Sequence, residues 1–206
     1  MPLAEFDHIV VAARDLKSGL AHVGRALGVM VPQGGAHPMM GTHNCLMRIG
    51  PASFLEVIAP DPGAPAPARP RWFGLDQPPA EPRLAHWVIR TVDMAALHPG
   101  LPAASGPAIE ATRGDLRWQI TVPEDGALPY GGAFPTLIQW TPGTLPPRQM
   151  PDLGCTLTRL QIRHPEGLEI ATTLKPWLDD QRIEIGTGAL SLVAEIATPN
   201  GIRRLT

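Results

Sequence analysis

Apolar positions near the start of the chain follow two different rhythms. Residues 6–13 hold the run Ile9-Val10-Val11, and β-branched residues at that density predict a strand. Leu16, Leu20, Val23 and Leu27 then recur at helical spacing. Asp15 stands before them as an N-cap, because its carboxylate can accept from the free N–H groups of a first turn, and Gly28 stands after them as a stop. Residues 32–44 contain Gly34-Gly35, Pro38 and Gly41 and predict a loop. Residues 45–49 and 53–59 predict two strands around Gly50-Pro51. The order is strand, helix, loop, hairpin.

Residues 61–82 are dominated by Pro and Ala, with Arg71-Trp72-Phe73 in their middle, and predict an extended linker. At Leu84 the opening pattern starts again. His86-Trp87-Val88-Ile89 precedes Asp93 as His8-Ile9-Val10-Val11 precedes Asp15, with seven positions from His to Asp in both. Such an internal repeat bears on architecture more than any single motif. A short helical piece at 94–97 is followed by predicted strands at 108–113, 117–122 and 136–141. The remainder predicts a strand at 156–163, a helix at 165–178 and a closing hairpin from 182–185 and 191–197. The expected fold is therefore α+β: two paired βαβββ modules forming cupped mixed sheets, with a C-terminal β-α-β-β extension. The expected boundaries are 1–62 for the first module, 63–83 for the Pro-rich linker, 84–144 for the second module and 145–206 for a segment packed on the same domain.

Composition narrows the partners. Charged residues are 17% of the chain and the formal net charge is -2, which disfavours nucleic acid, whose phosphates need clustered Lys and Arg. No apolar stretch approaches the roughly 20 residues of a membrane span, and residues 1–6 lack the features of a signal peptide. Cys45 and Cys155 have no CxxC partner and read as reduced thiols. A cytoplasmic protein acting on a small molecule is the expectation.

The repeat also marks candidate chemistry. His8 and His86 open the first strands of the two modules, while Glu56 and Gln139 sit in their last strands, in Phe54-Leu55-Glu56-Val57-Ile58 and Leu137-Ile138-Gln139-Trp140. A carboxylate in an apolar strand is costly unless it is paired, coordinated or facing water. Two imidazoles, a carboxylate and an amide oxygen suit a divalent transition metal such as Zn, Ni, Mn or Fe. These four residues form the expected metal set, with no organic cofactor. His37 and Asn44 in the Gly-rich loop, the aromatics Trp72 and Trp118, and Arg90 are the expected substrate-binding residues, with Arg71 and Arg117 as further guanidinium candidates.

This pattern resembles the vicinal-oxygen-chelate superfamily, which includes glyoxalase I, extradiol dioxygenases and bleomycin-resistance proteins. Closer still, Asp7-His8-Ile9-Val10, the stretch His37-Pro38-Met39-Met40-Gly41-Thr42-His43-Asn44 and Phe54-Leu55-Glu56 resemble the glyoxalase-like subgroup. The resemblance implies paired βαβββ modules with ligands on their first and last strands, and a homodimer is compatible with it. It implies a metal-assisted lyase or isomerase on a small oxygenated metabolite, with Glu56 as the catalytic base because Gln139 cannot exchange a proton. A metal-free binding or sequestration module of the bleomycin-resistance kind is the alternative. Extradiol-type dioxygenase chemistry ranks lower, because those enzymes use two His and a last-strand Glu, and a site of His8, His86 and Gln139 lacks that Glu.

Overall fold

The computed structural model describes residues 3–206; Met1 and Pro2, where the first predicted module begins, lie outside the described residues. The first module is β1 (Ala4–Ala12), α1 (Leu16–Leu27), β2 (Gln33–His37), β3 (Thr42–Arg48) and β4 (Phe54–Pro60). The second is β5 (Arg83–Thr91), α2 (Met94–Leu97), β6 (Ala108–Arg113), β7 (Leu116–Thr121) and β8 (Thr136–Trp140). Asp15 caps α1 through a bond from the Ser18 N–H, and Gly28 ends it in a left-handed conformation. The two first strands pair antiparallel, so the modules join into one eight-stranded sheet of order β2-β3-β4-β1-β5-β8-β7-β6.

Alternation along each strand divides the side chains between two faces. One face carries Val10, Ile58, Val88, Trp118, Ile120 and Ile138 and lines the inside of a cup. The other carries Ile9, Leu55, Val57, Trp87, Ile89 and Leu137 and packs against the helices. Two bulges interrupt the alternation at matching places. Asp7 is an extra residue in β1 between the Phe6–Ile89 and His8–Val88 pairs, and Ala85 is an extra residue in β5 between the Val10–His86 and Val11–Leu84 pairs. A bulge lets two sequence neighbours share one face.

Residues 32–44, expected to be a loop, instead hold β2 and a turn of 3-10 helix at Pro38–Met40. Its Gly-rich sequence carries no apolar alternation, and pairing with β3 supplies the order instead. Gly34 is required there: a Cβ on it would lie 2.4 Å from the Asn44 carbonyl oxygen. The 63–83 stretch is more than a spacer, because Trp72 and Phe73 are buried in the cup.

The C-terminal segment forms β9 (Thr156–His164), α3 (Gly167–Leu174), β10 (Ile183–Thr187), β11 (Ser191–Thr198) and β12 (Gly201–Leu205) in a second sheet of order β10-β9-β11-β12. The expected hairpin of 182–185 with 191–197 is not made, because β9 runs between its two arms, parallel to β10 and antiparallel to β11. The helical crossover β9–α3–β10 demands that parallel pairing, and the added β12 gives the extension one strand more than expected. Leu160, Ile162, Ile170, Leu174, Leu192 and Ile196 join the same apolar core as the outer face of the large sheet. Backbone bonds from Leu157 to Ile49 and from Ala4 to Trp177 tie the extension to β1 and the β3–β4 turn. No helix among the described residues is long and apolar enough to cross a membrane.

Candidate functional site

The site is built from the first bulge outward. Because Asp7 is the extra residue, its side chain turns to the same face as His8, and Asp7 Oδ1 lies 2.6 Å from His8 Nδ1. An ionised carboxylate only accepts, so the shared proton sits on His8 Nδ1, and Nε2 presents its lone pair to the cup. Asp7 is held from behind. Trp140 Nε1 donates to its Oδ2 at 3.0 Å, and Arg90 Nη1 lies 3.5 Å from the same oxygen. The His8 ring stacks on Phe54, its cross-strand neighbour, with centroids 4.3 Å apart.

Glu56 lies diagonally from His8 on β4, and its Oε2 is 3.7 Å from His8 Nε2. That distance is beyond a hydrogen bond, so the two groups face a shared space. Asn44 Nδ2 donates to Glu56 Oε1 at 2.6 Å, which fixes the carboxylate and leaves Oε2 toward His8. The Asn44 Oδ1 atom accepts from the Gly35 N–H at 3.0 Å and from Arg113 Nη1 at 2.8 Å. Arg113 ends β6 and lies over Gly35 of β2, so the two free edges of the large sheet meet there. His37 shares a proton with the Thr42 hydroxyl at 3.2 Å. Burial, followed by the charges of Arg113 and His43, pushes its pKa down to about 3 and keeps the ring neutral.

Trp72, Phe73, Trp118, Trp140 and Leu46 complete the walls. The space among them, counted out to its open mouth, is about 390 Å³. Of the residues expected to bind substrate, His37, Asn44, Trp72 and Trp118 line this void, as do His8 and Glu56.

A family model described as a glyoxalase-like domain matches residues 6–178. The chain belongs to the glyoxalase-like domain family. No curated protein sequence matches it. Among solved structures, a hypothetical protein from Staphylococcus aureus is similar at 14% identity and a TM-score of 0.58, covering 98% of this chain and 84% of that one. Methylmalonyl-CoA epimerase from Mycobacterium tuberculosis is similar at 19% identity and a TM-score of 0.41, covering 67% and 87%. A variant of the Streptomyces coelicolor methylmalonyl-CoA epimerase, in complex with 2-nitronate-propionyl-CoA, is similar at 20% identity and a TM-score of 0.42, covering 65% and 95%.

This glyoxalase-like chain does not bring the four expected metal ligands together. His86 is fully buried with both ring nitrogens engaged. Its Nδ1–H donates to the Gly132 carbonyl at 3.2 Å, and Nε2 accepts from the Thr136 N–H at 3.2 Å and from the Thr136 hydroxyl at 2.8 Å. Burial pushes its pKa down to about 3, and no lone pair is left for a metal. Gln139 points to the helix-packed face with Leu137, where its Oε1 accepts from the Met94 N–H at 2.6 Å and caps α2. Among the described residues, no three of His, Cys, Asp and Glu converge as metal ligands. The donor set of the cup therefore does not fit the expected centre.

Strand register explains the asymmetry. Two residues beyond His8, Val10 pairs with Glu56; two residues beyond His86, Val88 pairs with Thr136. Thr136, not Gln139, is the counterpart of Glu56, and Ala85 is the counterpart of Asp7. The first module keeps Asp, His and Glu where the second has Ala, His and Thr. Arg90, expected to bind substrate, is occupied by Glu5, Asp7 and the Phe6 and Ala52 carbonyls. Arg71 is bound to Asp76 and Gly41. The guanidinium that reaches the void is Arg113, which sequence spacing did not single out.

Proposed function

We propose that the cup is the active site of a proton-transferring isomerase or lyase acting on a small oxygenated metabolite, with Glu56 as the base. The observation that carries this reading is the pair of groups on one void: Glu56 Oε2 and His8 Nε2 face each other at 3.7 Å, each held by a partner on its far side. A carbon acid that carries a hydroxyl needs a base at carbon and a partner for the oxygen, and two positioned groups that share a space can fill those roles. Glu56 would take the proton from carbon. Glu56 would return that proton to the substrate, and His8, oriented by Asp7, would accept from the substrate hydroxyl with its Nε2 lone pair.

Preorganisation supports the same reading. Asn44 and Asp7 fix both groups before substrate arrives, so little reorganisation falls on the chemical step. The aromatic walls exclude water and strengthen each electrostatic contact inside. No step is routed through a metal, since the donors of the cup do not form a centre.

The test is proton wash-in. The chain is incubated in D2O with a panel of small 2-oxo and 2-hydroxy compounds, and loss of the C–H signal next to the carbonyl or carbinol is followed by proton NMR. Enzyme-dependent exchange that is lost in Glu56→Gln is expected. A compound that binds tightly and emerges without exchange would instead support a binding module.

A further inference from the structure

Arg113 ends β6 on the inner face of the cup and lines the same void as Glu56 and Trp118. Its guanidinium spends one N–H bond on Asn44 Oδ1 at 2.8 Å. No carboxylate among the described residues pairs with it directly. A guanidinium carries five N–H donors in a planar fork that matches a carboxylate. Half-burying such a cation without an anion beside it is costly. Burial indeed pulls its pKa down, against the opposing influence of the Glu56 charge. The cost is removed when an anionic ligand enters.

We propose that Arg113 anchors a carboxylate of the substrate, so that the cup selects small organic acids. The anchor stands on its own geometry, and only the position of the reacting carbon rests on the reading of Glu56 as base. One side chain links the two functions: Asn44 accepts from Arg113 with Oδ1 and donates to Glu56 at 2.6 Å with Nδ2. Anchor and base are thus bonded to the two ends of one carboxamide. A substrate that spans them carries its ionisable C–H on the atom next to the carboxylate or one bond further. 2-Oxo and 2-hydroxy acids have that arrangement. Trp72, Trp118 and Trp140 around the void add a preference for an apolar or aromatic substituent. The selection has a repulsive side as well, because a neutral analogue would leave the guanidinium half-buried and unpaired.

The experiment is calorimetric titration of the full chain with phenylpyruvate, phenyllactate and the neutral phenyllactamide. The acids are expected to bind at least tenfold more tightly than the amide. Arg113→Met and Arg113→Gln, each checked for an unchanged melting curve, are expected to bring acid affinity down to that of the amide. Equal binding of acid and amide by the unaltered chain would overturn the proposal. So would an acid preference that survives in whichever Arg113 variant folds, or binding of none of the three. The Glu56→Gln variant separates this proposal from the proton-transfer reading. If it and the unaltered chain both prefer acids while no wash-in occurs, the anchor stands and the chemistry falls. If wash-in occurs and acid and amide bind alike, the anchor alone falls.

Discussion

Asp7 Oδ1 lies 2.6 Å from His8 Nδ1, although the two are consecutive residues of one strand whose side chains would ordinarily oppose each other. The bulge at Asp7 makes the contact, and the contact fixes which His8 nitrogen faces the cup. Asp7→Asn keeps the shape but can offer an N–H to the ring, favouring the wrong tautomer. The expected outcome is a loss of exchange rate on the order of 100-fold with little change in acid binding. Nitrogen-15 NMR of the imidazole should show Nδ1 protonated in the parent and a tautomer change in the variant.

His86 is expected to act through stability alone. His86→Ala removes the partners of the Gly132 carbonyl and of Thr136 in a fully buried place. The loss should be about 3 kcal/mol, the scale of a cavity plus unpaired polar groups. Urea unfolding checks it. His8→Ala, at the matching position, should cost less stability and abolish exchange.

Gln139 gives a milder contrast. Gln139→Ala removes the acceptor for the Met94 N–H at the start of α2. About 1 kcal/mol of stability should be lost, with acid binding and exchange retained. Calorimetry and NMR on the same preparation measure both.

The buried histidines set an acid limit on the fold. His37 and His86 both have pKa values pushed down to about 3, first by burial. An unfolded imidazole titrates near 6.5, so between about pH 6.5 and 3 the unfolded chain binds more protons than the folded one. Stability should therefore be independent of these two groups above about pH 6.5 and fall as the pH drops below it. The slope approaches about 1.4 kcal/mol per pH unit for each ring as an upper bound. Urea midpoints measured between pH 7.5 and 5.5 should show the decline beginning near pH 6.5. A flat series would contradict the neutral buried rings.

The two-module fold could be read from the chain because its signals are local and repeated. The His-to-Asp spacing, the Asp15 cap and the β-branched runs each act within a few residues. Glu56, Asn44, His37, Trp72 and Trp118, expected as site residues from an apolar strand, a Gly-rich loop and aromatic positions, line one void. What stayed hidden depends on register. Gln139 and Thr136 are three positions apart in one strand, and an odd offset places them on opposite faces. Spacing alone selected Gln139; only the pairing of Val88 with Thr136 shows which residue answers to Glu56. Asp7 needed a bulge that no residue type announces. Arg113 needed the curvature that brings β6 over β2, a property of the whole sheet.

The claim at the centre of this account is that proton transfer belongs to the first module's half of the cup, at Glu56. Deuterium wash-in into a 2-oxo or 2-hydroxy acid, compared between Glu56→Gln and Gln139→Ala, tests it most directly. The account predicts exchange abolished in Glu56→Gln and retained in Gln139→Ala. Exchange that persists in Glu56→Gln, or that disappears equally in both, would contradict it.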